Sequence, residues 1–267
     1  MKKILGSIIT VVLAVVLVGC AGGKNKQDAI KIGVVGENNE VWEHVQKELE
    51  KQDITLDIVS FSDYNQPNAA LADGELDLNS FQHQIFLDNY NAEHQTDLVS
   101  IGKTVIAPLG IYSTQLTSLD ELKEGDEVTI PNDVTNGGRA LILLQTAGLI
   151  KLSKDSTQTP TVKDITENRL NLKITELDAA QVARTLEDAK IAIINSGLAV
   201  DAGFIPTEDA VFLEPVDEKS DPYINIIVAR KEDKGNETYQ KIVKAYQQES
   251  TKKVIAKTSK GSSIPAW

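Results

Sequence analysis

AIKIGVVGENNEVWEHVQKELEKQDITLDIVSF, residues 29–61, decides the fold. Ile30 to Gly36 is apolar but for Lys31, rich in β-branched residues and ends in glycine, as a buried strand does. Val41, Val45 and Leu49, with Trp42 beside them, then recur at helical spacing. From Ile54 to Phe61 the chain alternates, with Ile54, Leu56 and Ile58 on one face. Strand, helix and strand in so short a span predict parallel pairing in an α/β sheet. Outward from this unit the order continues with a helix near Pro67–Asp73, a short strand Leu76–Asn79, and a helix near Gln82–Glu93. A second unit follows. The strand Glu127–Pro131 leads into the loop Asn132–Gly138 and an apolar helix Arg139–Ala147, with Gly148 at the C-cap position. Beyond it lie the strand Leu172–Leu177, a helix Ala179–Asp188 and the strand Lys190–Ile194. Tyr223–Arg230 is a late strand, and one helix spans Tyr239–Ala256. Leu98–Ser113 reads as extended, and the late strand returns toward it. Two chain crossings between two lobes are therefore expected, with a cleft between the lobes. The boundaries predicted are 29–110 for the first part of lobe 1, 111–222 for lobe 2 and 223–267 for the return to lobe 1.

The 267 residues are 41% hydrophobic and carry a net charge of −12. That apolar content is too high for a disordered chain, and the acidity argues against a nucleic-acid partner. Lys2 and Lys3 precede a 16-residue apolar run, Ile4–Gly19, interrupted only by Ser7 and Thr10. It is short of the ~20 residues of a spanning helix and matches a secretory signal peptide, residues 1–19. The run ends Leu17-Val18-Gly19-Cys20, a pattern that resembles the bacterial lipobox, in which the cysteine is diacylglycerated and becomes the mature N-terminus. Cys20 is the chain's single cysteine. Residues 20–28 then form a lipidated, small and polar tether. Without residues 1–19 the chain loses two lysines and no acid, leaving 25 basic and 39 acidic side chains and a net charge of −14. Anchoring on the extracytoplasmic face of the cell membrane would rest on acyl chains, because an acidic body is not drawn to anionic lipid.

Catalytic patterns are absent: no Gly-x-Ser-x-Gly elbow, no His-Glu-x-x-His, no Walker A loop, no Gly-x-Gly-x-x-Gly after the first strand. No enzyme activity, metal or cofactor is expected. His44 and His94 stand in polar company and read as surface residues. Recognition chemistry, by contrast, clusters after strands, where open parallel sheets bind ligands. Asp63-Tyr64-Asn65-Gln66-Pro67-Asn68 offers Tyr64. Asn79-Ser80-Phe81-Gln82-His83-Gln84-Ile85-Phe86 offers Phe81, His83 and Phe86, with core packing an equal reading for Phe81. Asn132-Asp133-Val134-Thr135-Asn136-Gly137-Gly138-Arg139 puts Asn136 before an arginine in what reads as a first helical turn. A cation there opposes the helix dipole, so Arg139 is a candidate to hold a carboxylate bidentately, or to pair with a nearby aspartate. Asn195 and Asn225 each sit at or within an apolar strand and must be hydrogen-bonded if buried; their amide oxygens suit an ammonium group.

With the lipobox, these clusters make residues 29–267 resemble the NlpA/MetQ family of methionine-binding lipoproteins of ABC importers. The segments that carry the resemblance are DYNQPNAALADGELDLNSFQH (63–83), IPNDVTNGGRALILLQTAGLIKL (130–152), NLKITELDAAQVARTLEDAKIAIIN (171–195) and DPYINIIVAR (221–230). The resemblance implies a two-lobed periplasmic-binding-protein fold, type II-like, that captures L-methionine and delivers it to an ABC permease and its ATPase. It places the ligand carboxylate on Arg139, the rest of the head group on Asn195 and Asn225, and Tyr64 and His83 in the pocket. Three departures fall on the side-chain pocket: Ser80 for an aromatic, Gln84-Ile85-Phe86 for Glu-Pro-Tyr, and Ser196-Gly197-Leu198-Ala199 for a Thr-Thr-Tyr-Ala-like run. They leave open a methionine-containing dipeptide or another apolar amino acid. Two further readings are a surface adhesion lipoprotein on the same scaffold, and a hydrolase built on His83 that lacks a neighbouring nucleophile.

Overall fold

The structure is a computed structural model and describes residues 29–267. The signal segment 1–19, Cys20 and the tether to residue 28 lie outside the described residues. The chain first lays down β1 (Ile30–Val35), β2 (Leu56–Phe61), β3 (Leu78–Asn79) and β4 (Val99–Ile106). It then builds β5 (Gly110–Tyr112), β6 (Glu127–Pro131), β7 (Ile150–Leu152), β8 (Ile165–Asn168), β9 (Lys173–Leu177), β10 (Ile191–Ile194) and β11 (Phe212–Leu213). It closes with β12 (Ile224–Ala229) and β13 (Ile264–Pro265). One six-stranded sheet has the order β13-β4-β12-β3-β1-β2, and a five-stranded sheet has β11-β5-β10-β6-β9; β7 and β8 pair separately. β1 runs parallel to both β2 and β3, and β6 to both β9 and β10. The molecule is thus a two-lobed α/β protein. The chain leaves the first sheet after Ile106, starts the second at Gly110, and re-enters the first with β12 at Ile224.

Each sheet is buried under amphipathic helices. Helix Glu40–Glu50 turns Trp42, Val45 and Leu49 inward. They pack with Ile30, Ile32 and Val34 of β1 and with Tyr239, Ile242 and Tyr246 of helix Glu237–Tyr246. Spacings of three and four residues set that face. In the second lobe, Leu141, Leu143 and Leu144 of helix Val134–Thr146 pack with Val128 and Ile130 of β6 and Ile191 and Ile193 of β10.

The sequence reading is corrected in three places. Leu98–Ser113 is not one extended stretch: it breaks between β4 and β5, which belong to different sheets. The C-terminal helix is two, Glu237–Tyr246 and Glu249–Thr258. The helix assigned to Arg139–Ala147 starts five residues earlier, at Val134. Asp133 caps it, its carboxylate accepting from the Asn136 N–H at 2.9 Å. Gly137 and Gly138 read as loop because glycine costs a helix ~1 kcal/mol each. Both are required by close approach: a Cβ on Gly137 would lie 2.7 Å from the Pro131 carbonyl oxygen, and one on Gly138 2.7 Å from Thr159 Cα.

Candidate functional site

Between the two sheets lies a cavity of about 200 Å³. Tyr64, Phe81, His83, Phe86, Asn136, Arg139, Asn195 and Asn225 all line it. Tyr64 follows β2, Phe81 and His83 follow β3, and Phe86 is in the first turn of helix Gln84–His94. Asn136 and Arg139 come from helix Val134–Thr146, Asn195 directly follows β10, and Asn225 is within β12. A ligand there would be enclosed by the carboxyl ends of strands from both lobes, as in other open α/β sheets.

The polar side of the cavity is a chain of hydrogen bonds that starts from a carboxylate. Asp133 accepts from the Asn136 side-chain amide at 3.0 and 3.1 Å, which fixes which way that amide points. Asn136 Oδ1 then accepts from Asn195 Nδ2 at 2.8 Å and faces His83 Nε2 at 3.4 Å. His83 Nδ1 caps its own helix by accepting from the Phe86 N–H at 3.2 Å. A bare Nδ1 puts the proton on Nε2, so His83 donates to Asn136 across the cleft. Burial, with the Arg139 charge nearby, pushes the His83 imidazole down to about 3, the Asn136 bond only partly opposing this; it is neutral at physiological pH. One polar atom is left over. Asn195 Oδ1 is buried without a partner, and an unpaired buried acceptor is costly unless something fills the role.

Arg139 is 3% exposed. It lies in the second turn of its helix, not the first, so the opposition to the helix dipole expected from the sequence is small. Its Nε donates to Glu214 Oε1 at 2.9 Å, and its Nη2 donates to Glu214 Oε2 and, at 3.1 Å, to the Ala107 carbonyl. The guanidinium carbon sits 4.3 Å from the Tyr223 ring centroid. The paired acid is a glutamate 75 residues away. It takes the bidentate edge, and Nη1 is left without a partner among the described residues.

Opposite stands an aromatic wall. Tyr64, Phe81 and Phe86 have ring centroids 5.7–6.3 Å apart, and Phe86 also meets His83 edge-on at 6.2 Å. Burial is the main cause that raises the Tyr64 hydroxyl well above the usual phenol range. Behind this wall Asn68, Asn79 and Gln82 form a buried knot. Asn68 donates to Gln82 Oε1 at 2.9 Å, Asn79 donates to Asn68 Oδ1 at 2.9 Å, and Gln82 donates to Asn79 Oδ1 at 3.0 Å. The knot ties the loop after β2 to the loop after β3. In the sequence these three residues carry no signal of this role beyond their place at and after the ends of β2 and β3. Glu214 and Tyr223 behind Arg139, and Ser263, which the C-terminal tail brings to the cavity, are not marked in the sequence either.

The lobes touch around the cavity as well as through His83. The Asn65 side chain donates to Asp178 at 3.0 Å, and the Glu37 N–H donates to Asp201 at 3.1 Å. A Cβ on Gly36, which has a φ of 99°, would lie 2.3 Å from that Asp201 carboxylate. Glycine allows both the backbone and the approach. His44, bonded to Ser250, and His94, stacked on Tyr90, stand away from the cavity. Among the described residues no His/Cys/Asp/Glu group is arranged to hold a metal ion, and no helix is long and apolar enough to cross a membrane.

Two α/β lobes closed over a small cavity, with a buried cation, oriented amides and an aromatic wall, define a substrate-binding protein. The chain belongs to the NlpA lipoprotein family, whose model matches residues 30–267. It is 43% identical to a D-methionine-binding lipoprotein MetQ of Salmonella typhi over 255 residues, 94% of this chain and 93% of that one. A nutrient binding protein from Burkholderia cenocepacia, solved bound to methionine, is 45% identical with a TM-score of 0.86, covering 90% of this chain and 100% of its own. The substrate binding protein of a methionine transporter from Streptococcus pneumoniae is 41% identical with a TM-score of 0.85, covering 90% and 96%.

Proposed function

We propose that this protein is the substrate receptor of an ABC importer, holding L-methionine or a closely related apolar amino acid in the interlobe cavity. Diacylglycerated Cys20 anchors it to the extracytoplasmic face of the membrane, and it delivers its ligand to the permease and its ATPase. Residues 29–110 and 223–267 act as one lobe and 111–222 as the other, closing about the two crossings. The observation that carries this reading is the pair of polar atoms on two cavity-lining residues: Nη1 of Arg139, whose Nε and Nη2 alone are engaged by the described residues, and the buried, unpartnered Oδ1 of Asn195. An α-carboxylate answers the first and an α-ammonium the second. The ligand side chain then lies against Tyr64, Phe81 and Phe86, where an unbranched thioether makes favourable sulfur–aromatic contacts. The cavity volume of about 200 Å³ is below the ~300–1,000 Å³ of sites for drug-sized ligands, in keeping with one amino acid. Head-group recognition therefore comes mainly from the second lobe and side-chain recognition from the first, so a full set of contacts exists only when the lobes are closed.

Mass spectrometry of small molecules released by denaturing the purified protein tests this directly. Stoichiometric methionine, or its rebinding after refolding, is the expected result. Release of a sugar, a nucleoside or a metal chelate in its place would sink the proposal.

A further inference from the structure

Arg139 is the only charged side chain lining the cavity among the described residues, yet its charge is already answered. Glu214 holds both Nε and Nη2 from behind. Glu214 is itself fixed, its Oε2 accepting from the Leu109 N–H at 2.9 Å and its own N–H donating to the Leu109 carbonyl at 2.9 Å. With His83 neutral, Arg139 and Glu214 balance each other, the half-buried Asp133 carboxylate behind Asn136 adds a negative charge that is the same for every ligand, and a buried charge without a partner is strongly unfavourable.

We propose that Glu214 is a specificity-determining residue that makes this site select zwitterions over anions of the same shape. The proposal rests on the amino-acid reading above and deepens it. A ligand carboxylate on Nη1 shares Arg139 with Glu214, so the three groups together carry one negative charge. An α-ammonium beside Asn195 Oδ1 restores the balance. An α-hydroxy acid of the same skeleton places the same carboxylate and donates its O–H to the same oxygen, but leaves the negative charge buried. An α-amino amide keeps the ammonium and leaves a positive charge instead. A lone arginine in this position would give the opposite preference, with the anion favoured. At the single unpartnered acceptor, Asn195 Oδ1, an ammonium and a hydroxyl each make one hydrogen bond; the carboxylate behind the arginine is what separates them by charge.

Calorimetric titration with L-methionine, 2-hydroxy-4-methylthiobutanoate and L-methioninamide tests the proposal on the wild-type protein and on Glu214→Gln. The wild type should prefer methionine at least a hundredfold over either analogue. Glu214→Gln keeps an oxygen toward Arg139 and removes the charge. It should reduce the preference over the hydroxy acid at least tenfold without reducing the preference over the amide. A ratio taken on one protein cancels any general loosening of the site, which a purely structural role would cause equally for all three ligands. Wild-type affinity for the hydroxy acid within threefold of methionine overturns the proposal whether or not the variant folds, as does an unchanged ratio in Glu214→Gln. Failure of the wild type to bind methionine at all overturns instead the amino-acid reading beneath it.

Discussion

Across the cavity the second-lobe wall and the first-lobe wall are held by different physics. On the second-lobe wall each polar group is pinned by another: Asp133 orients Asn136, Asn136 orients Asn195, and Glu214 orients Arg139. Each link is directional, and both chains begin at a carboxylate. The first-lobe wall is a set of rings in edge and tilted contact, with the directional bonding set back in the knot of Asn68, Asn79 and Gln82. Aromatic contact depends on area and tolerates small changes of shape, whereas a hydrogen-bonded chain fails when one member is lost. The difference teaches where ligand identity can drift. Of the three departures that the family resemblance implies, Ser80 and Gln84-Ile85-Phe86 fall beside the rings, while Ser196-Gly197-Leu198 lines the cavity next to Asn195 on the second-lobe wall. The polar chain is intact.

Arg139→Ala breaks the comparison at its strongest point. It removes the carboxylate contact and leaves Glu214, whose side chain is only 16% exposed, with an unpaired charge. Methionine affinity should fall by at least ~2 kcal/mol, read by calorimetry. Unfolding stability without ligand should fall by about 3 kcal/mol, the lower end for a broken buried pair, read by urea denaturation. Wild-type affinity in this variant would remove Arg139 from the site. Lost affinity with unchanged stability would mean that Glu214 finds another partner.

How much of these walls was legible in the sequence follows from how local their causes are. The strand–helix–strand opening was readable because its periodicity is complete within residues 29–61. Tyr64, Phe81, His83, Asn195 and Asn225 were readable because each follows or lies within a recognisable strand, and Phe86, Asn136 and Arg139 because they come in the strand-to-helix segments that follow. The start of helix Val134–Thr146 was not: Gly137 and Gly138 look like loop until Pro131 and Thr159 are seen pressed against them. Glu214 was not readable either, since a single acid after an apolar run looks like a solvated strand end. Its partner Arg139 is 75 residues distant, and so is much of its meaning. Ser263 reaches the cavity only because β13 pairs with β4, with Ile264 opposite Ile106, and Trp267 packs on Tyr246 at 5.6 Å. Nothing near Ser263 in the chain signals either contact.

His83 joins the two walls, and its protonation tests whether the junction is neutral. Its folded value is depressed to about 3, against ~6.5 in an unfolded chain. Between those values the unfolded state binds a proton that the folded state does not. Folded stability should therefore decline as pH drops below about 6.5, by at most ~1.4 kcal/mol per pH unit from this group. His83→Asn retains a side-chain acceptor for the Phe86 N–H and has nothing to titrate. From pH 6 to pH 4.5 the wild type should lose up to about 2 kcal/mol more than the variant, read from urea denaturation at each pH. Parallel pH profiles would show that His83 is not held neutral, and with it that its Nδ1 is not the bare acceptor for the Phe86 N–H.

Phe86→Tyr should have the smallest effect, and for that reason it sharpens the comparison most. It adds a hydroxyl to a ring 5.7 Å from Phe81 and 6.3 Å from Tyr64. If the first-lobe wall works by apolar area alone, methionine affinity should change by less than ~1 kcal/mol, because a half-buried ring can shift to admit one oxygen. Affinity for an analogue with a polar side chain, such as methionine sulfoxide, should rise more than affinity for methionine, because the new hydroxyl can donate to the sulfoxide oxygen. A tenfold change for methionine itself would show that this wall is specified as tightly as the one opposite. Ligand identity would then be set by both lobes, and the tolerance attributed to the rings would belong to neither.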